Sequence, residues 1–331
     1  MEQAGSGEGK AEKDGPVHVL TASPSAVGPA WGRLVEKLAD AGFTVHKLWE
    51  QADADTFFAN DGDQIKAVVP GHEGVNGEMM DRLPNLEIIA NFGVGYDAID
   101  VNAAKDRGIR VTNTPDVLSD DVADLALALM LDVSRRLTLA DRYVREGKWE
   151  EGNFPIQRKV SGKKVGILGL GRIGQAIASR ASAFHMKVAY HGRHEKSGVP
   201  YEYHSSLVDL AKACDFLVIA CPGGASTRHL VNKEVLEALG PKGCLVNIAR
   251  GSVVVESELV KALAEGRLGS AGLDVFEDEP RVPEELRKMD NVVLQPHIGS
   301  ATFETREDMA DLVVRNLTAH FSGKELPTPV A

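Results

Sequence analysis

Lys163-Lys164-Val165-Gly166-Ile167-Leu168-Gly169-Leu170-Gly171-Arg172-Ile173-Gly174 is the stretch on which the fold turns. Its apolar run, Val165 to Leu168, has the length and composition of a fully buried strand. Gln175 to Phe184 then carries apolar residues at helical spacing, and Lys187 to Tyr190 reads as a second strand. A glycine triplet alone is a common turn. Between a strand and a helix, inside a unit of about 30 residues, it is the context in which a dinucleotide is bound. Gly169 allows the tight turn, Gly171 lets backbone approach a pyrophosphate, and Gly174 lets helix and strand pack closely. Arg172 and Ile173 open the helix, whose free N–H groups and positive dipole end face the phosphates.

Upstream, apolar runs near Val17 to Leu20, Thr44 to Leu48, Ala67 to Val69, Leu86 to Ala90 and Ile109 to Val111 read as strands. A helix is expected over residues 26–41, stopped by Gly42. The alternation implies a parallel sheet with helices on both faces, an α/β unit without a glycine fingerprint of its own. Asn91-Phe92-Gly93-Val94-Gly95-Tyr96-Asp97 follows one of these strands; it is either an ordinary turn or one that aims successive N–H groups at an anion. Ser119 to Arg136 is the strongest helix, with Ser119 as expected N-cap and Asp120 and Asp121 at its positive end. Leu125 to Leu131 is apolar on every face and therefore requires cover, from a domain junction or a second subunit. Beyond it, Arg142 to Trp149 is charged and carries an isolated Trp.

Downstream, strands are expected at Phe216 to Ala220, Cys244 to Ile248, Ser270 to Asp274 and Val292 to Gln295. Ligands of open α/β sheets bind outside the carboxyl ends of the strands. Arg250, Asp274 with Glu279 beyond it, and His297 stand at those ends. Singly each reads equally well as a surface or loop residue. Together they supply an electrophile-binding arginine, an acid/base histidine and a carboxylate to orient it.

At 331 residues the chain suits about two domains. A formal net charge of −11 argues against a nucleic-acid or anionic membrane partner. No apolar run approaches the ~18 residues of a membrane span. Residues 1–15 are too polar to fold and read as a disordered tail with no signal peptide. Cys214, Cys221 and Cys244 read as reduced core thiols, consistent with a cytoplasmic protein. The ten histidines show no metal-ligand spacing, so no metal is expected.

The glycine motif, Asn247-Ile248-Ala249-Arg250-Gly251, Gly272-Leu273-Asp274-Val275-Phe276-Glu277-Asp278-Glu279-Pro280 and Pro296-His297-Ile298-Gly299 resemble the D-isomer-specific 2-hydroxyacid dehydrogenases. The steps of 29 residues from Arg250 to Glu279 and 18 from Glu279 to His297 match that family. The likeness runs from about Val17 to the C-terminus and is nearest to the NADP-dependent glyoxylate/hydroxypyruvate reductases. The resemblance implies two Rossmann-like parallel-sheet domains. The substrate domain would hold 16–114 and 299–331, with a dinucleotide domain, 115–298, inserted between them. It implies cofactor contacts from the glycine motif and from Cys221, Pro222, Thr227, Ile248, Ala249, Arg250, Asp274, His297 and Gly299. Val94, Gly95, Arg250 and His297 would hold a small 2-oxo acid, with Trp149 reaching across a homodimer. Hydride from the nicotinamide and a proton from His297 would give a D-2-hydroxy acid, with Glu279 favouring the imidazolium.

Cofactor choice is read separately. NAD-specific units carry an acidic residue at the end of the second strand to bond the ribose 2′-OH. That strand here ends Tyr190-His191-Gly192-Arg193-His194, with Gly192 at the acidic position. Gly192 leaves room for a 2′-phosphate and Arg193 pairs with it, helped by His194 and Lys196; NADP(H) is therefore expected over NAD(H). Rival readings are a reductase of bulkier 2-oxo acids such as hydroxyphenylpyruvate and a nucleotide-sensing, co-repressor-like binding protein. A formate dehydrogenase is disfavoured, because that family has glutamine where Glu279 stands.

Overall fold

Buried on both faces, parallel strands need continuous apolar runs, and this chain supplies them in two sets. The computed structural model describes residues 15–22, 33–71 and 73–330. The chain divides into two compact units, residues 1–114 with 307–331, and residues 115–306. The return to the first unit falls at Glu307, later than the expected 299; beyond the Gly299 N–H bond to Asp274, the Thr302 hydroxyl donates to Asp121 of the second unit. Residues 1–14 of the expected tail and 26–32 of the expected first helix lie outside the described residues.

The first unit contains β1 (His18–Thr21), α1 (Leu34–Asp40), β2 (Thr44–Lys47), α2 (Ala54–Asp61), β3 (Ile65–Val69), α3 (Gly77–Asp81), β4 (Ile88–Ala90), α4 (Val101–Asp106) and β5 (Arg110–Thr112). Its five strands are parallel in the order β2-β1-β3-β4-β5. Alternation along the strands sends Val19, Ala67, Val69 and Ile88 to one face, against Leu34, Leu38 and Val313. Leu20, Val68, Ile89 and Val111 face the other way, against Phe57 and Met80. The Asp53, Asn76 and Asp100 side chains cap α2, α3 and α4, each accepting an otherwise orphaned N–H of the first turn.

The second unit holds α5 (Ser119–Arg135), α6 (Leu137–Arg145), β6 (Lys164–Leu168), α7 (Arg172–Ala183), β7 (Lys187–His191), β8 (Glu202–Tyr203), α8 (Leu207–Ala213) and β9 (Phe216–Ile219). It continues with α9 (Lys233–Leu239), β10 (Cys244–Asn247), α10 (Glu256–Ala264), β11 (Ser270–Leu273), α11 (Glu284–Arg287) and β12 (Val292–Leu294). Its seven parallel strands run β12-β11-β10-β9-β6-β7-β8, so the order reverses between β6 and β9. That reversal opens a crevice beside the glycine motif.

Two expectations for α5 need correction. Ser119 is its first helical residue, not its cap; Leu118 precedes it and no side chain caps the start. Its apolar belt is also covered largely within the unit, by α7 and the β10–β12 strands. Ala126, Leu127, Leu129 and Met130 are buried, and a Cβ on Gly272 of β11 would lie 3.0 Å from the Leu129 Cβ. Within the belt Ala128 stays exposed and Leu125 and Leu131 are half-buried, and the large exposed apolar side chains come later, at Leu137, Val144, Trp149 and Ile156.

Candidate active site

The turn after β6 is shaped by what cannot fit in it. Gly169 has φ +96°, and a Cβ there would lie 2.7 Å from the Cys221 backbone. At Gly174 it would lie 2.1 Å from the Gly169 carbonyl oxygen, so strand and helix approach as closely as backbone allows. At Gly171 a Cβ would meet nothing within 4 Å. The flank of the turn that leads into the N-terminus of α7 is open, and its free N–H groups fit a pyrophosphate. Arg172 and Ile173 form the first turn of that helix, with Arg172 Nε 2.6 Å from Asp116.

Beyond β7, Gly192 is flanked by space: a Cβ would be 3.9 Å from its nearest neighbour. The Gly192 carbonyl accepts the Tyr203 hydroxyl, and the Tyr190 hydroxyl accepts the Lys196 N–H, so the 192–196 turn is pinned at both ends. Arg193, His194 and Lys196 project from it into solvent. Among the described residues Arg193 makes no ion pair. The chain beyond β9 carries Cys221, buried against Gly169, and Pro222, whose carbonyl accepts the Thr227 hydroxyl at 2.7 Å. Burial pushes the Cys221 thiol up to about 11.

Arg250, Glu279 and His297 follow the C-terminal ends of β10, β11 and β12, three neighbouring strands. Sequence reasoning passed over Asn247, which sets the first of these turns. It is buried, accepts the Ala249 N–H at 3.1 Å and donates to the Arg250 carbonyl at 2.9 Å. Its place at the end of a buried strand was visible, but not the turn through which its amide is satisfied. Ile248 and Ala249 are thereby held, and Arg250 Nη1 donates to the Ala249 carbonyl at 2.7 Å. Gly251 next to it is obligatory, since its Cβ would come within 1.9 Å of the Phe276 backbone.

Asp274 is buried, and burial pushes its carboxyl above the ordinary range, opposed by the hydrogen bonds it accepts. Its two oxygens accept the N–H groups of Ile298 at 2.7 Å and Gly299 at 2.9 Å, and its carbonyl accepts the His297 N–H at 2.9 Å. These bonds hold His297 at φ +53°, a left-handed conformation that few side chains adopt. Asp274 therefore fixes the histidine through its backbone. A Cβ on Gly299 would press against Asp274 Oδ2 at 3.1 Å.

Glu279 holds the ring. Its Oε1 accepts the Phe276 N–H at 3.0 Å, and its Oε2 lies 2.7 Å from His297 Nδ1. With Nδ1 turned to the carboxylate, proton transfer to a substrate falls to Nε2. Val94 and Gly95 lie in the other unit, in the turn that follows β4. Trp149 stands 63% exposed on the short turn Lys148–Glu150. Among the described residues no group of three His, Cys, Asp or Glu side chains could hold a metal ion, and no helix is long and apolar enough to cross a membrane.

A doubly wound sheet with a glycine turn at its switch point is the architecture of a dinucleotide-binding domain. Residues 127–299 match the D-isomer specific 2-hydroxyacid dehydrogenase NAD binding domain, and the chain belongs to the D-isomer specific 2-hydroxyacid dehydrogenase family. It is 54% identical to a glyoxylate/hydroxypyruvate reductase of Arabidopsis thaliana over 297 residues, 89% of this chain and 95% of the relative. Identity and coverage are the same for a hydroxyphenylpyruvate reductase of Plectranthus scutellarioides. Among solved structures, the NADPH-dependent glyoxylate/hydroxypyruvate reductase of Sinorhizobium meliloti, in complex with NADP and malonate, matches with a TM-score of 0.88. That pair shares 46% identity, covering 95% of this chain and 97% of that one.

Proposed function

We propose that this protein is an NADPH-dependent reductase of small 2-oxo acids, glyoxylate and hydroxypyruvate among them, giving D-2-hydroxy acids. The observation that carries the reading is the His297–Glu279 pair, 2.7 Å apart beside the strand end that bears Arg250. The second unit is the dinucleotide domain and the first the substrate domain. When bound, the nicotinamide supplies hydride to the carbonyl carbon. Arg250 grips the carboxylate and carbonyl oxygen with its planar fork. The N–H groups of Val94 and Gly95 take the carboxylate. His297 Nε2 donates the proton that neutralises the forming alkoxide, and Glu279 and Asp274 hold the ring in place. Burial keeps the three thiols protonated and unreactive, with Cys214 and Cys244 pushed up to about 12.

Turnover of a 2-oxo acid panel with NADPH, followed by absorbance, tests the reading; no turnover of any member would sink it and favour a nucleotide-sensing binding protein. A second reading, preference for aromatic 2-oxo acids, is favoured by the likeness to the Plectranthus enzyme. We expect a higher kcat/KM for glyoxylate and hydroxypyruvate than for phenylpyruvate or hydroxyphenylpyruvate. Equal or better values for the aromatic acids would reverse the assignment.

The proposed assembly is a homodimer. α6 buries none of its own residues, and Leu137, Val144, Trp149 and Ile156 are uncovered along α6 and the segment after it. Leu137 and Ile156 also line a recess of about 420 Å³ whose other walls are Ala140, Phe154, Pro155 and the polar Arg135, Gln157, Arg158 and Lys159. Exposed large apolar side chains rimmed by polar ones suit a partner surface, and a second copy would bring Trp149 towards its neighbour's site. Light scattering at micromolar concentration is expected to give twice the chain mass; a monomer mass would refute the dimer.

A further inference from the structure

We infer that Asn91 and Asn113 are positioning residues for the substrate carboxylate, fixing the Gly93–Tyr96 turn so that three successive N–H groups face one anion. The inference rests on the reading that Val94 and Gly95 hold that carboxylate. The geometry starts from the carbonyls. Asn91 Nδ2 donates to the carbonyls of Gly93 and Gly95, at 2.9 Å each. Asn113 Nδ2 donates to the Val94 carbonyl at 2.9 Å, and the Thr114 N–H to the Gly93 carbonyl at 3.0 Å. All three carbonyls of the turn are thus taken up by donors of the protein itself, two by Asn91 and one by Asn113.

The peptides here are trans, the only cis bond being Glu279-Pro280 among the described residues. In a trans peptide each N–H points opposite to the carbonyl before it. Holding the carbonyls of Gly93, Val94 and Gly95 inward therefore turns the N–H groups of Val94, Gly95 and Tyr96 outward. Among the described residues none of these three donates to an acceptor. Successive outward N–H groups make an anion-binding concavity, and a carboxylate satisfies them. Tyr96 thereby joins Val94 and Gly95 as a third backbone donor.

Both asparagines are themselves anchored. The Asn91 N–H donates to Thr112 at the end of β5. The Asn113 carbonyl accepts the Thr328 hydroxyl at 2.6 Å, and that hydroxyl accepts from Asn316 Nδ2 at 2.8 Å. Asn316, buried in the helix Phe303–Phe321, also accepts the Thr328 N–H. The last residues of the chain therefore brace the turn through Asn113. The same segment pairs antiparallel with β5, Thr112 opposite Pro329.

The test uses the full chain with Asn91→Ala, Asn113→Ala and the corresponding Ser variants, which keep a short donor. Steady-state kinetics are taken with glyoxylate and NADPH, together with inhibition by malonate as a carboxylate probe. Each Ala variant is expected to raise the glyoxylate KM and the malonate inhibition constant about tenfold, the order of one or two lost hydrogen bonds. The NADPH KM and the kcat at saturating glyoxylate should stay within about threefold, and Ser should recover part of the loss. Unchanged KM and malonate inhibition in both Ala variants would overturn the inference and leave the reductase standing. So would a fall in kcat with KM intact. A wild-type protein that neither reduces glyoxylate nor binds malonate by calorimetry would instead overturn the reading of the turn, and this inference with it.

Discussion

His297→Gln is expected to lower kcat for 2-oxo acid reduction by about 10²–10⁴-fold, the range of a lost general acid. Glutamine fills a similar volume and retains a donor, but it has no proton to give up to an alkoxide. The turn should survive the change. Its left-handed residue is held by the bonds from the backbone at 297, 298 and 299 to Asp274, and none of these involves the ring. Glu279→Gln separates orientation of the acid from its presence. The carboxylate only accepts, so it fixes a proton on Nδ1, whereas an amide can also donate and leaves the tautomer and the ring orientation unfixed. For this variant kcat is expected to fall by about 10²–10⁴-fold, the order seen when a triad carboxylate is made an amide. An unchanged kcat in Glu279→Gln would mean that the 2.7 Å pair does not orient the acid. A His297→Gln enzyme with near-normal kcat would remove the residue from the chemistry.

Much of the fold was open to inspection in the sequence because parallel strands covered on both faces are short apolar runs, and glycine is forced wherever backbones meet. Val165 to Leu168, Phe216 to Ile219 and Cys244 to Asn247 are buried along almost their whole length, and each matched its apolar run to within a residue. β8 went unseen, since Glu202–Tyr203 is two residues at a sheet edge and offers no period to detect. The α5 belt was legible as apolar but not as to its cover. Periodicity reports that a face needs burying and is silent on whether α7 or a second chain does it. The failed Ser119 cap has a similar cause: a good capping residue stands next to the helix start, but the chain enters through Leu118.

Within the candidate site the side chains that meet a ligand were legible as residue types at strand ends. Of the residues that hold them, Asp274 and Glu279 were picked out by place and type, but the bonds made by Asp274 were not foreseen, and Asn91, Asn113 and Asn247 were passed over. Asp274 acts through the N–H groups of residues 24 and 25 positions away, and Asn113 through a carbonyl 19 positions away. Such bonds depend on turn geometry that no local pattern encodes. Asn91 and Asn247 act over two to four residues, yet through a turn conformation that the residue type alone does not specify.

Arg193→Ala is expected to raise the KM for NADPH about ten- to a hundredfold and to leave the KM for NADH nearly unchanged. A charge-assisted hydrogen bond is worth roughly 1.5–3 kcal/mol, and about 1.4 kcal/mol is one decade. The argument begins with what is missing at the end of β7. An acidic side chain there would accept the ribose 2′-OH and repel a 2′-phosphate, and Gly192 supplies neither effect. The turn beyond it is held by Tyr203 on the Gly192 carbonyl and Tyr190 on the Lys196 N–H, so Arg193 is presented from a fixed base. Lys196, exposed on the same turn, adds positive charge for a dianionic group, and His194 beside it offers a ring N–H donor. Glu195 is the acidic residue within the turn. It lies three positions beyond Gly192, too late along the chain to take the ribose. NADH lacks the phosphate and so has nothing to lose when Arg193 is removed. The discriminating measurement is the ratio of kcat/KM for NADPH to that for NADH, in wild type and variant. Wild type using both cofactors equally would show that the turn does not select. An Arg193→Ala enzyme impaired alike with both would show that the arginine serves the turn's structure instead of the phosphate.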